Sequence, residues 1–378
     1  MKAKQLCIDV DSIVPLFVRG YLTGVGQSTL ELVYALNDIK KSLPFEITLY
    51  SQNMKGIGGR NLSLALRNKH LYWPYRKTYD RLLSKIPVKE WLTRYDIMHV
   101  PHNFEYVYRP EKLIVTLHDA LFMKLQENAF SQYDLKRLVP PLMRKCKAII
   151  TCSEHSKKDI IETMGIDGDK ITVIPWGVRH DVFYPENDLL AAKQLLKERF
   201  GLDKVYFLSV SCSMGRKNTP RLIEVYLKLA SQGLKHDLCL VWDAPPAIRE
   251  LVNKARLNDR VHFVCNVTNA ELRLLYAGAT ATLYPSLYEG FGSPVLESMA
   301  CGTPVITSNA TSIPEVGGDV AVYIDPLDNQ SIESVLVAFE ENVYDLKELS
   351  RKSIARASMF TWHKTAVMTA KVYSECLS

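Results

Sequence analysis

Short apolar runs recur along this chain of 378 residues, each followed by a polar turn and then by a segment whose apolar residues fall three and four apart. The runs Gln5–Val10, Phe45–Tyr50, Asp96–Val100, Leu113–Leu117, Lys145–Cys152 and Ile171–Ile174 predict strands in the first half. In the second half the runs are Val205–Val210, Leu238–Val241, Val261–Val264, Thr280–Tyr284, Val305–Thr307 and Val320–Ile324. Helical spacing predicts helices over Ser28–Ile39, Lys157–Met164, Pro220–Gln232, Asn269–Tyr276, Ser331–Glu341, Asp345–Ala357 and Trp362–Cys376. Strands that alternate with helices belong to parallel sheets covered on both faces. With a proline-bearing polar stretch at Asp181–Asp188 as hinge, the pattern predicts an α/β protein of two Rossmann-like domains facing an interdomain cleft.

Residues 283 to 307 are the most structured piece of this pattern. An apolar run ends at Pro285, a glycine turn follows (Gly290, Phe291, Gly292), and Ser293 and Pro294 suit an N-cap and first helical residue. The expected helix, Val295–Cys301, is closed by Gly302 and stopped by Pro304. A helix N-terminus beside glycines offers backbone N–H groups to an anion such as phosphate, and Glu289 and Glu297 flank it as acceptors for sugar hydroxyls. The same letters also fit ordinary strand-to-helix punctuation. Three further groups carry the same double reading. Gly24 and Gly26 lie in a loop before the helix at Ser28, as a phosphate turn or a tight turn. His118 with Asp119 ends the strand Leu113–Leu117, where open α/β sheets place ligand groups. Arg216 and Lys217 follow the strand Val205–Val210, as a diphosphate clamp or a solvated basic turn.

Composition narrows the field. Apolar residues at 47% and charged residues at 23% are those of a soluble globular chain. The eight cysteines show no CxxC spacing, so they read as reduced core residues of a cytoplasmic protein. No run approaches a membrane span of about 20 apolar residues, and the apolar start breaks at Asp9 and Asp11, too early for a signal peptide. Asp9-Val10-Asp11 has an Asp-x-Asp form but no third ligand nearby in sequence, so no metal is expected. The net charge of +6 is concentrated in residues 55–94, where Tyr72, Trp73, Tyr75, Tyr79 and Trp91 interleave with lysines and arginines. That segment reads as a solvated basic face, an anionic membrane surface contact, or a nucleic-acid or glycan contact. The carboxylate-flanked cradle argues against nucleic acid as partner.

The run EGFG-x-P-x-x-E-x-M-A-C-G-x-P-V, from Glu289 to Val305, resembles the signature of the retaining glycosyltransferases of family 4, which have the GT-B fold. The resemblance extends to Arg216-Lys217-Asn218, His118-Asp119, Gly24-Val25-Gly26 and Pro175-Trp176-Gly177-Val178, with Trp176 standing where Asn is usual. Ser293 replaces the usual Leu, and Val210-Ser211 stands where some members have Gly-Arg. The resemblance implies an acceptor-binding domain over 1–180, a nucleotide-sugar domain over 181–360, and a last helix, 361–378, returning to the first. It implies catalytic roles for His118, Arg216, Lys217 and Glu289, with the diphosphate held by Gly24, Gly26 and the backbone of Gly290, Phe291, Gly292, Ser293 and Val295. Glu297 is then the ribose contact, and Cys265, Asn266 and Val267 lie by the base. The implied reaction moves a hexose from GDP-mannose or a UDP-hexose, without a cofactor, to a glycan or lipid-linked saccharide at the inner face of the plasma membrane. A sucrose-type synthase, a nucleotide-sugar epimerase and a silent glycan-binding homologue are the alternatives.

Overall fold

The computed structural model describes residues 3–74, 77–124, 130–210 and 214–378. The chain divides into two units, 1–177 with 362–378, and 178–361.

The first unit carries seven strands, β1 (Lys4–Asp9), β2 (Phe45–Gln52), β3 (Arg67–Leu71), β4 (Ile97–Val100), β5 (Leu113–Thr116), β6 (Ala148–Thr151) and β7 (Ile171–Val173). They form one sheet in the order β3-β2-β1-β4-β5-β6-β7, parallel at every pairing. β3 was not predicted. Its sequence, Arg-Asn-Lys-His-Leu, has no apolar period, and it exists because β2 offers its edge from Thr48 to Gln52. The helix Gly24–Ile39 covers one face with Leu30, Leu32, Val33 and Leu36. The last helix, Trp362–Leu377, packs beside it. Tyr373 anchors that helix: fully buried, it meets Phe45 edge to face at 6.0 Å, and its hydroxyl bonds His99 Nδ1 at 2.6 Å. His99 Nε2 in turn meets Thr116 Oγ1 at 2.8 Å, and burial lowers the ring's pKa to about 3, keeping it neutral.

The second unit carries β8 (Tyr206–Val210), β9 (Asp237–Val241), β10 (Val261–Val264), β11 (Ala281–Tyr284), β12 (Val305–Ser308) and β13 (Val322–Ile324), all parallel in the order β10-β9-β8-β11-β12-β13. The helix Thr219–Ser231 buries Leu222, Ile223, Tyr226 and Leu229 against this sheet. The two passages of chain between the units run side by side, with Val178 N donating to Phe360 O at 3.2 Å.

Each sheet reverses its strand order once. The reversal falls between β1 and β4 in the first unit and between β8 and β11 in the second. Loops leaving such a pair diverge to opposite faces, so the carboxyl ends of those strands border a crevice where ligands bind.

Candidate functional site

In the second unit, the loop after β8 and the loop after β11 meet at this crevice. Leu287 N donates to the Arg216 carbonyl at 2.7 Å, and Ser286 Oγ lies 2.9 Å from the same oxygen, which brings the loops together. A single tight turn, Gly215–Lys217, then points two cations at one carboxylate. Glu289 pairs with Arg216 Nη1 at 2.6 Å and Lys217 Nζ at 2.8 Å, and Ser286 Oγ donates to it at 2.6 Å. Glu289 is only 7% exposed. Burial alone would raise its pKa, but Lys217 and Arg216 outweigh burial and hold the carboxyl below its ordinary value. The Lys217 ammonium also bonds the Tyr284 hydroxyl and lies 4.6 Å from the centre of that ring. The glycine turn is fastened from behind: Glu289 N donates to Thr311 Oγ1 at 3.1 Å, and Ser312 Oγ donates to the Glu289 carbonyl at 2.8 Å and lies 3.1 Å from that of Phe291. Three predicted residues, Arg216, Lys217 and Glu289, are therefore one electrostatic unit with an excess of one positive charge.

The helix beyond the turn starts earlier than predicted, spanning Ser293–Ala300. Gly292, not Ser293, holds the N-cap position, at φ 112, a left-handed conformation that favours glycine. Val295 is also corrected. Its N–H donates to the Gly292 carbonyl at 3.0 Å and its side chain is fully buried, so it does not present a donor to a ligand. The N–H groups of Gly292 and Ser293 remain for that purpose. Glu297 lies one turn on and accepts from Tyr276 OH at 3.1 Å. Its pKa is raised to about 7 by burial, only partly offset by that hydrogen bond and by Lys217. Cys265 and Asn266 are exposed and Val267 half-buried at the end of the edge strand β10, with Asn266 at φ 56. Gly290 and Phe291 lie in the loop between Glu289 and this helix. Ser211, read as a departure from the family pattern, lies outside the described residues.

In the first unit, the helix predicted from Ser28 begins at Gly24, with Thr23 as N-cap. Gly24 and Gly26 thus belong to its first turn and not to a loop before it. The Gly26 N–H donates to Thr23 Oγ1 at 3.3 Å, and a Cβ there would stand 2.5 Å from the Ser12 carbonyl oxygen. Gly26 is therefore a packing glycine whose donor is already engaged. Gly24 has open space where its Cβ would be.

His118 is buried beyond the end of β5, and its ring meets Trp176 edge to face at 4.9 Å. Nε2 lies 3.1 Å from the Pro101 carbonyl, which can only accept, so this nitrogen carries the hydrogen. Nδ1 has no partner and is left as an acceptor. Burial lowers the pKa to about 4, so the ring is neutral. The free ring nitrogen is therefore an acceptor, and the Pro101 carbonyl sets the tautomer. Asp119 Oδ1 accepts from Leu121 N at 2.9 Å, starting a short helix. Beside His118, a cavity of about 20 Å³ walled by Ser28, Thr29, Thr116 and Thr365 has room for one water.

Sequence reasoning found no third ligand near Asp9 and Asp11, yet the fold brings His102 and Glu105 to Asp9. It also gave no role to Tyr276 and Tyr284, although a tyrosine hydroxyl in an apolar run needs a partner when buried.

Residues 193–356 match the family described as Glycosyl transferases group 1, and residues 22–182 match Glycosyltransferase Family 4. The chain is 27% identical, over 93% of its length and 96% of the relative's, to O-antigen chain mannosyltransferase B of Escherichia coli. It is 30% identical, over 60% of each chain, to O-antigen chain mannosyltransferase RfbU of Salmonella typhimurium. A glycosyltransferase from Rickettsia africae superposes over 100% of both chains with a TM-score of 0.76 at 17% identity. WaaG, a glycosyltransferase involved in lipopolysaccharide biosynthesis, does so over 97% of this chain and 99% of its own with a TM-score of 0.72 at 15% identity. Two parallel sheets with these superpositions are the GT-B fold, and with both halves matched in order the chain belongs to the group 1, family 4 glycosyltransferases.

Proposed function

We propose that this glycosyltransferase moves a hexose from a nucleoside-diphosphate sugar to a hydroxyl of a glycan or lipid-linked saccharide, with retention at the anomeric carbon. The observation that carries the reading is the Arg216–Glu289–Lys217 set at the crevice between β8 and β11. A departing diphosphate gains negative charge as the bond to the sugar breaks, and two fixed cations stabilise that charge without reorganising. The N–H groups of Gly292 and Ser293 add donors at a helix N-terminus. Glu289, kept ionised by its neighbours, accepts from hexose hydroxyls, and Glu297 accepts from the ribose.

In the transfer step the bond from the anomeric carbon to the diphosphate oxygen breaks. The acceptor oxygen bonds that carbon on the same face, and the acceptor's proton passes to a departing phosphate oxygen. Neutral His118 contributes an acceptor, Nδ1, for a sugar hydroxyl. GDP-mannose is favoured over UDP-hexoses as donor because the relatives above are named as mannosyltransferases.

No helix among the described residues is long and apolar enough to cross a membrane. The basic segment suits a peripheral contact with an anionic bilayer: Tyr72, Leu82, Ile86 and Trp91 are exposed among Lys55, Arg60, Lys69, Arg81, Lys85 and Arg94. Lys89, counted in that segment from sequence, is buried and takes no part. Tyr75 lies outside the described residues.

A thermal-shift screen of nucleotide sugars tests the donor. At about 100 times Kd a true donor adds about 2.7 kcal/mol of stability; silence from every GDP- and UDP-sugar would overturn the reading.

A further inference from the structure

The first unit's own crevice, between β1 and β4, holds a cluster that sugar transfer does not account for. Asp9 ends β1, and His102 and Glu105 lie on the loop that leaves β4. One donor atom from each lies within 4.8 Å of the others. Asp9 is fully buried; its Oδ1 accepts from Asp11 N at 2.9 Å, while Oδ2 has no hydrogen-bond partner. His102 Nδ1 is likewise buried without a partner. His102 Nε2 stands 4.0 Å from Glu105 Oε2, too far for a hydrogen bond. The other Glu105 oxygen is already held, by Lys89 Nζ at 2.8 Å and Tyr106 N at 2.7 Å.

A buried polar atom left without a partner destabilises the fold, and more so when charged. Two such atoms, Asp9 Oδ2 and His102 Nδ1, belong to residues of this one cluster. Among the described residues negative charge is also in excess, with the Lys89 ammonium set against Asp9, Asp11 and Glu105. A small cation would relieve both deficits.

We propose that Asp9, His102 and Glu105 bind a divalent metal ion of the zinc or manganese class. One imidazole and two carboxylates suit a borderline ion better than magnesium, which prefers an all-oxygen shell. Bonds of about 2.0–2.2 Å at tetrahedral or octahedral angles place neighbouring donors of one ion roughly 3–3.5 Å apart, so the three groups must draw together by up to roughly 1.5 Å. Lys89 then acts as the outer partner that orients Glu105 through its other oxygen. Three protein donors leave coordination positions for water or a substrate oxygen. The site shares no residue with the Arg216–Glu289–Lys217 set, so its failure would leave the transfer reading intact.

The test is calorimetric titration of zinc chloride, and separately manganese chloride, into the full chain after dialysis against EDTA and then metal-free buffer. One ion per chain is expected with at least one of the two metals, weakened at least tenfold in both His102→Ala and Asp9→Asn. His102 is on a loop and 20% exposed, so His102→Ala decides the matter even where Asp9→Asn fails to fold. Absence of binding for both metals would overturn the proposal. So would wild-type affinity in a natively folded His102→Ala, which would assign the ion to another group such as the exposed Cys265.

Discussion

Glu297→Gln separates the stability of the donor site from its function. In the folded chain the Glu297 carboxyl has a pKa of about 7, against an ordinary value of 4.5, because burial disfavours its charge. Between those two pH values the folded state binds more protons than the unfolded one. Stability from this group therefore falls as pH rises from about 4.5 to about 7 and stays lost above. At 1.36 kcal/mol for each pH unit, the interval is worth about 3 kcal/mol. Glutamine keeps a carbonyl oxygen for the Tyr276 hydroxyl and carries no charge. The variant is expected to gain up to about 3 kcal/mol at pH 8 and no more than about 0.8 kcal/mol at pH 5. For a domain of this size that is a rise in Tm of several degrees at the higher pH only. Calorimetric melts of both proteins at the two pH values measure it, and donor affinity should fall in the same variant. Equal shifts at pH 5 and pH 8, or none at pH 8, would refute the reasoning.

Other expectations follow from the same geometry. Lys217→Ala should lower turnover about 10²–10³-fold, the usual cost of losing one preorganised charge partner, with an unchanged circular dichroism spectrum; wild-type turnover would remove Lys217 from the mechanism. Tyr284→Phe deletes the hydroxyl that holds Lys217 and should lower turnover severalfold while donor Kd changes less, as steady-state kinetics and titration would report. Gly26→Ala should cost about 1–3 kcal/mol because its Cβ meets Ser12 and Leu22. Gly24→Ala, with open space and a helical position, should not lower the melting temperature. His118, held neutral in the folded chain, acts in the opposite sense to Glu297: its contribution is lost as pH drops from about 6.5 to about 4, so melts should show the wild type losing stability over that interval relative to His118→Gln.

Much of the fold was legible because continuous apolar runs and helical spacing are local. The runs at Leu238, Val261 and Ala281 became strands within a residue or so of the predicted limits. What was not legible depends on sheet order. β3 has no apolar period and forms only because β2 presents an edge. Asp9, His102 and Glu105 meet only because β4 pairs with β1, across some ninety residues of sequence. The same holds for Arg216 and Glu289, which were each visible as candidates but not as partners. Helix starts were misjudged at Gly24 and Ser293 for a different reason. Thr23 and Gly292 outcompete the later caps, and glycine, poor in helix interiors, is acceptable in a first turn.

Retention and the cationic set can be tested together in one time course. The donor that stabilises the chain is incubated with methanol as the simplest acceptor hydroxyl, and the methyl glycoside, whose configuration does not drift, is read by proton NMR. The account expects a product with the donor's own anomeric configuration, formed by the wild type and about 10²–10³-fold more slowly by Lys217→Ala. A product of opposite configuration, or an undiminished rate in the variant, would contradict it.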